Sequence, residues 1–418
     1  MTPAVNQAAP SRPATPSVAT PSVATPSVAT PRPIRVVNLK IDRIVPGGDG
    51  LGRHEGRAVF VPLAAPGDEV SVRIVEDKPD YLRGAIVDIL APGPDRVEPV
   101  CKYYGECGGC NLMHLSYKAQ LEAKLGIVRD AWRRSGGLSG PEAFGAGGLG
   151  IVGSEPLGYR NRAQFHFDQD REPGYARAAS SSILPVGNCP ILVPSLAAWL
   201  ENAGRGAAWS RMAPYMAGKD RFLAFGYRDS VYLEGPDSEV TVDILGRPLR
   251  FHLGGFFQSN LGMLESMVPA VCDGLAGSRA ADLYCGVGLF GVFLKETFGR
   301  LACVEQDQHA VAYAYSNVGK HADFTAMSVE DWTKSNQARI HFDHVVVDPP
   351  RAGLAKDVRL WIANARPGSV GYVSCDPVSL ARDAGHLVRA GYKVESARIF
   401  DFYPQTAHVE TYVRFKLD

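Results

Sequence analysis

The 418-residue chain carries 44 Lys and Arg against 44 Asp and Glu, a formal net charge of zero. Any nucleic-acid contact must therefore come from a local basic surface and not from bulk charge. No apolar run reaches the roughly 18–20 residues that cross a bilayer, and the N-terminus lacks the basic start and apolar stretch of a secretory signal. The eight cysteines then point to metal binding or catalysis more than to a disulfide framework, with the cytoplasm as the expected compartment. The length predicts two or three domains with ample buried core.

Residues 1–34 include Pro-Ser-Val-Ala-Thr three times in succession, from Pro16 to Thr30. A proline every fifth residue blocks helix and sheet, and the apolar content is too low for a core. A disordered or polyproline-like tail is expected. Residues 35–91 read as all-β. The segment 36–44 alternates loosely, Gly47-Gly48-Asp49-Gly50 makes a turn, and Ala58-Val59-Phe60-Val61 is a short apolar run. Val70, Val72 and Ile74 share one face of the next segment, and 82–90 follows. Short strands with Gly/Pro punctuation predict a small barrel. The pattern Asp49-Gly50-Leu51-Gly52, then Val59-Phe60-Val61-Pro62 and Gly67-Asp68, resembles the TRAM domain. That module is an oligonucleotide-binding-type (OB-type) barrel found on RNA-modifying enzymes.

Residues 92–250 hold Cys101, Cys107 and Cys110 in Cys-x5-Cys-x2-Cys spacing, and Cys189 in Gly-Asn-Cys-Pro. Gly105, Gly108 and Gly109 free the backbone to wrap a bound group. Four thiolates suit an iron–sulfur cluster or zinc, and the spacing does not choose between them. A helix is expected over 117–134 and β-structure near 162–168. Tyr159-Arg160-Asn161-Arg162 and the basic stretch 171–177 offer phosphate contacts and stacking. Cys272, Cys285 and Cys303 read as core residues.

From residue 251 the pattern is α/β. Strands are expected at 281–284, 301–305, 344–348 and 370–374, with helices at 290–296, 309–318, 356–363 and 378–389. Such alternation implies a parallel sheet covered on both faces, closed by an antiparallel hairpin of 392–400 and 408–416. Gly286-Val287-Gly288-Leu289-Phe290-Gly291 opens a helix after a strand, and Glu305 ends the next strand where it can accept from ribose hydroxyls. This satisfies the dinucleotide fingerprint and leaves a NAD or FAD enzyme open. S-adenosylmethionine is favoured, because methyltransferase folds use the same loop and carboxylate. Asp348-Pro349-Pro350-Arg351 follows a strand and presents a rigid wall, an acid and a guanidinium to a flat base. Cys375 sits at a strand tip with Pro377 opening a helix. The helix N-terminus lowers a thiol's pKa, and Asp376 opposes it.

Phe256-Phe257-Gln258-Ser259-Asn260, Asp282-Leu283-Tyr284-Cys285-Gly286-Val287-Gly288, Asp348-Pro349-Pro350-Arg351, Ser374-Cys375-Asp376-Pro377 and Pro404-Gln405-Thr406-Ala407-His408-Val409-Glu410 occur in that order. With these motifs, residues 35–418 resemble the RNA uracil-5-methyltransferase family, in particular its TRAM-containing iron–sulfur members that act on 23S rRNA. The resemblance implies an α/β protein: a Rossmann-like class I methyltransferase domain at 251–418, an N-terminal OB-type TRAM barrel at 35–91 and a central α+β iron–sulfur domain at 92–250. It implies Cys375 as nucleophile, Glu410 as base, and Gln258, Tyr284, Glu305 and Asp348 as S-adenosyl-L-methionine contacts. It assigns a 4Fe-4S cluster, with zinc the less favoured occupant, to Cys101, Cys107, Cys110 and Cys189. The expected partner is RNA, rRNA before tRNA, with no membrane and no obligate protein partner. Leu289 stands where many members carry a polar residue, Ser328 where a cofactor-contacting Asn can occur, and Asp376 where Asn is commoner. A tRNA methyltransferase and a non-catalytic RNA-binding ribosome-assembly factor are the alternatives.

Overall fold

The computed structural model describes residues 35–202, 218–235 and 238–417; the Pro-rich segment 1–34 lies outside them. Strands β1 (Val36–Ile44), β2 (Gly50–His54), β3 (Arg57–Val61), β4 (Glu69–Asp77) and β5 (Tyr81–Ala91) close a barrel in the order β1-β2-β3-β5-β4. Alternation fills it: Val37, Leu39, Ile41, Val59, Val61, Val70, Val72 and Leu82 point inward. The buried Asp68 accepts from Ala65 N–H (2.6 Å), Gly93 N–H (2.8 Å) and Arg96 Nη2 (2.6 Å), pinning the barrel to the chain leaving it.

After the cysteine-bearing loop comes helix α1 (Tyr117–Ala131), capped by Ser116, whose side chain accepts from Ala119 N–H. A π-helical turn (Trp132–Gly136) ends it, and β6 (Leu149–Val152) follows. Strands β7 (Arg162–Phe167), β8 (Pro173–Ala176) and β9 (Ile183–Pro185), helix α2 (Pro194–Glu201), and strands β10 (Arg221–Tyr227) and β11 (Ser230–Leu233) come next. Their antiparallel sheet runs β11-β10-β7-β8-β9 over a core of Phe165, Phe167, Phe222, Leu196 and Leu200. The hairpin β12 (Glu239–Ile244) and β13 (Arg247–His252) turns through Leu245 and Gly246, both at positive φ.

The remaining elements are α3 (Leu261–Cys272), β14 (Gly277–Leu283), α4 (Leu289–Leu294), β15 (Phe298–Glu305), α5 (Gln308–Val318), β16 (Ala322–Ala326), α6 (Val329–Trp332), β17 (His344–Val347), α7 (Lys356–Ala365), β18 (Ser369–Ser374), α8 (Pro377–Arg389), β19 (Tyr392–Phe400) and β20 (Glu410–Leu417). An eight-stranded sheet runs β16-β15-β14-β17-β18-β20-β19-β6. It is parallel from β16 to β18; β20 then inserts antiparallel between β18 and β19. Apolar clusters cover both faces, so β17, His-Val-Val-Val, is buried throughout.

Two strands of this sheet carry no sequence signal. β16 is a short edge strand, and β6 comes from the stretch grouped by sequence with the cysteines, yet it pairs with β19. Val128 of α1 packs on Ile399 and Val409 beneath the same sheet. Residues 117–152 thus contribute to the C-terminal layer, because a four-residue strand declares its partner only through contacts distant in sequence. Among the described residues no helix is long and apolar enough to cross a membrane.

Candidate active site

An open cleft of about 1320 Å³ lies beyond the carboxyl ends of the parallel strands, and Gln258, Tyr284, Glu305, Asp348, Cys375 and Glu410 all line it. Six separate segments bring these six residues to one end of the sheet, where ligands of open α/β sheets bind.

β14 ends at Leu283, and Tyr284 adopts φ 63, a left-handed conformation that costs a non-glycine residue about 1–2 kcal/mol. The bend turns its side chain into the cleft, where its hydroxyl donates to Glu330 Oε1 (3.4 Å). Gly288, at φ 84, lets α4 approach α5: an added Cβ would lie 2.8 Å from Val318 Cγ2. Glu305 shapes the loop, accepting from Gly286 N–H (3.1 Å) and Asp307 N–H (2.9 Å), and stays partly exposed. Gln258 is buried, and its Oε1 has no hydrogen-bond partner among the described residues. A buried amide oxygen left unpaired at a cleft wall is available to accept from a ligand.

Asp348 follows β17. Burial pushes its carboxyl well above the usual carboxylate range. The loop after it is braced from beneath by Asp383, which accepts from Leu354 N–H (2.8 Å) and Tyr372 Oη (2.8 Å), while Arg382 Nη2 donates to the Ala352 carbonyl (2.9 Å). Cys375 follows β18 and is half-buried. Its register explains its neighbour. β18 and β20 are antiparallel with Ser374 opposite Thr411, so the end of one strand meets the start of the other. Glu410 opens β20 beside Cys375 and is 4 % exposed. Burial first, then the Asp348 charge, holds its carboxyl far above the ordinary value.

The expectation that the helix N-terminus lowers the Cys375 thiol is overturned. Burial pushes it up to about 11, the Glu410 and Asp348 charges add to this, and Arg351 only partly opposes them. The start of α8 is already satisfied, because Asp376 caps it by accepting from Ser379 N–H (2.7 Å). Two residues of the basic motifs are corrected as well. Asn161 and Arg162 face inward: Asn161 Nδ2 donates to the Gly226 carbonyl (2.8 Å) and Arg162 Nη2 to Gly255 (2.7 Å). Arg177 pairs with Glu106, and Arg171 lies over the Phe167 ring. Of the Arg160-Asn161-Arg162 run, only Arg160 lines the cleft. Ser328, a departure from the family pattern, also lines it. Sequence reasoning missed Glu330 and Tyr313 in the wall and gave Phe256, though part of a motif, no role there. Phe256 is 70 % exposed, a signal available only once neighbouring Phe257 is seen to be buried.

The loop 401–409, which leads into Glu410, is held from several sides. Lys124 and Asp401 form a fully buried ion pair, and Lys124 Nζ also donates to the Tyr403 carbonyl (2.9 Å). Tyr117 Oη donates to Asp401 (2.9 Å), Tyr159 Oη to the Pro404 carbonyl (2.9 Å), and Asn260 Nδ2 to the Phe402 carbonyl (3.3 Å).

Cys101, Cys107, Cys110 and Cys189 are free, partly buried thiols gathered in one region, and Gly109 between two of them reaches the cleft wall. Burial pushes Cys110 up to about 12 and Cys189 up to about 11; charges on the other cysteines of the set add to this, and Arg160 relieves it. Cys110 feels Cys101, Cys107 and Cys189, while Cys107 feels Cys101 and Cys189 feels Cys101 and Cys107. Among the described residues, no group of three or more His, Cys, Asp or Glu stands in the arrangement that holds a metal ion.

A small closed barrel joined to a sheet of this topology, with a loop-bound cleft at its carboxyl edge, is the architecture of a methyltransferase-type α/β domain carrying an added barrel. Residues 33–87 match the TRAM domain, and residues 237–417 match the tRNA (uracil-5-)-methyltransferase family. An RNA methyltransferase of Treponema denticola is 30% identical over 385 residues, 85% of this chain and 93% of that protein. The 23S rRNA (uracil(1939)-C(5))-methyltransferase RlmD of Shewanella sediminis is 30% identical over 436 residues, 91% of this chain and 96% of its own. The enzyme of that name from Nitrosococcus oceani is 31% identical over 430 residues, 90% and 95% of the two chains. The tRNA (uracil-54, C5)-methyltransferase of Pyrococcus abyssi, solved with S-adenosyl-L-homocysteine, shares the fold: TM-score 0.67, 22% identity, 90% of this chain and 100% of that one. This chain belongs to the RNA uracil-5-methyltransferase family.

Proposed function

We propose that this protein methylates carbon 5 of a uridine in structured RNA, with 23S rRNA as the favoured substrate, through a covalent bond between Cys375 and the uracil ring. The observation that carries this reading is the register that sets a thiol and a buried carboxylate side by side on β18 and β20, at the end of a cleft with an unpaired amide oxygen. Support for the rRNA comes from relatives of that name matched over 95–96% of their length.

Gln258, Tyr284, Glu305 and Asp348 would hold S-adenosyl-L-methionine, with Glu305 toward the ribose. The unpaired Gln258 oxygen and the left-handed Tyr284 fit a ligand there. When bound, it supplies an electrophilic methyl group. Carbon 5 of uracil is by itself too weak a nucleophile to take it. Cys375 adds its thiolate to carbon 6, and the electron pair displaced onto the ring makes carbon 5 nucleophilic. After carbon 5 is methylated, Glu410 removes its proton, the ring double bond re-forms, and the sulfur leaves with its electron pair. Burial equips Glu410 for this step, because a carboxylate with a raised pKa is the stronger base. The target base must leave its stack to enter the cleft.

Cys101, Cys107, Cys110 and Cys189 are assigned a 4Fe-4S cluster with a structural or RNA-positioning role, since methyl transfer moves no net electrons. The gathering of three of them, Cys101, Cys110 and Cys189, against Met113, Tyr159 and Ile191 supports the assignment. Anaerobic purification with iron, sulfide and zinc analysis tests it; about four irons and four sulfides per chain are expected, and a single zinc refutes it.

RNA containing 5-fluorouridine tests the mechanism, because fluorine cannot leave as a proton. The expected result is a denaturation-stable adduct that requires Cys375; no adduct with intact Cys375 and the correct RNA refutes it. Mapping 5-methyluridine in total RNA with and without the protein distinguishes rRNA from tRNA.

A further inference from the structure

Asn111 follows Cys110 directly and does not line the cleft, yet it touches two distant parts of the chain. Its Nδ2 donates to the Gly47 carbonyl in the β1–β2 turn of the barrel (2.7 Å). Its Oδ1 accepts from Ala407 N–H (3.0 Å), three residues before Glu410. Its backbone N–H and that of Leu112 both donate to the Gln405 carbonyl (3.0 and 2.9 Å). Gln405 stands at φ 69, a conformation a non-glycine residue holds only when its surroundings fix it. The barrel turn is shaped to admit the amide: a Cβ at Gly48 would lie 2.7 Å from Asn111 Cγ and nearer still to Nδ2. The space left by the missing side chain of Gly48 is the space Asn111 fills.

We propose that Asn111 is a positioning residue for the second half of the reaction, locking the loop that leads to Glu410 against the barrel. The carboxylate is aimed at the carbon 5 proton only when the barrel, the Cys110 segment and the loop are seated together. The proposal rests on Glu410 being the base, and on the finding that one amide bridges the RNA-binding type of barrel and the loop. Losing Asn111 should therefore spare the early step, in which Cys375 adds and the methyl is transferred, and slow the late one.

The test uses the full chain under single turnover with ordinary uridine RNA. Methylated adduct formation and product release are followed separately, alongside amide hydrogen exchange across 401–410. Asn111→Leu should form the methylated adduct at close to the normal rate and release product about tenfold more slowly, the effect of losing one or two hydrogen bonds. Exchange should rise across 401–410 and not in β14, β15 or β17. Gly48→Ala should behave alike. Gly47→Ala carries the same backbone penalty (φ +95 against +93) but meets nothing within 4 Å, and should release normally.

Normal release by Asn111→Leu overturns the proposal, as does equal slowing of both steps with a global rise in exchange. Glu410→Gln is run beside it. If that variant releases normally, the base assignment has failed, and exchange alone decides: a rise confined to 401–410 supports the lock, and no rise refutes it.

Discussion

Glu410→Gln should make Cys375 more reactive while stopping turnover. In the free protein the thiol is held at about 11, burial leading and the Glu410 and Asp348 charges following. At pH 7 only about one molecule in 10⁴ then carries the thiolate, roughly a hundredfold less than for a thiol at its reference value of 9.0. Removing the Glu410 charge recovers part of that loss. Because burial also holds the Glu410 carboxyl far above its ordinary value, both side chains are neutral at low pH. The two proteins should alkylate equally there and diverge as pH rises. The assay is the rate of iodoacetamide modification of the Cys375 peptide by mass spectrometry from pH 6.5 to 10. The variant should gain about tenfold per pH unit, and wild type should rise less steeply where Glu410 ionises but without levelling off, so that the variant's curve lies at lower pH. With uridine RNA the variant should accumulate methylated adduct, release falling by about 10²–10⁴, the usual weight of a general base. A wild-type alkylation rate that levels off near pH 8 would refute the reasoning, since the resting thiol would then already be ionised.

Lys124→Met strands the fully buried Asp401 and should lower unfolding free energy by about 3–5 kcal/mol in urea titrations, with Asp401→Asn in the same chain restoring part of it. Burial pushes Asp282 up to about 8 from an ordinary 3.8, against the bond from Gly291 N–H. A carboxyl raised on folding contributes stability that is complete below its unfolded value and is lost as pH climbs through the folded one. Asp282→Asn should therefore flatten the fall in Tm between pH 5 and 8, measured by calorimetry. Gly288→Ala should destabilise by about 1–3 kcal/mol through its positive φ and the Val318 contact, and more than Gly286→Ala, which meets open space.

The local grammar of the sequence made much of the molecule legible. Strand, glycine loop and helix from 281 to 296 announce themselves by apolar runs and punctuation, as do the Asp-Pro-Pro exit and the barrel's alternation. What stayed hidden depended on what lies nearby in space. Cys375 at a helix start reads as an activated thiol until Asp376 is seen to cap the helix and two carboxylates to face the sulfur. Asn161 and Arg162 read as RNA contacts because polar residues normally face water; here backbone carbonyls of distant segments hold them inside. β6 has four residues and no period, and its place beside β19 rests on a pairing some 250 residues away in sequence.

The insertion of β20 between β18 and β19 also has a consequence for biosynthesis. It emerges from the ribosome after both its neighbours, yet it fills an interior slot. A nascent chain halted before residue 410 leaves two strands with bare backbone donors and acceptors, open to pairing with other chains. The last strand to appear is thus the one that seals the sheet.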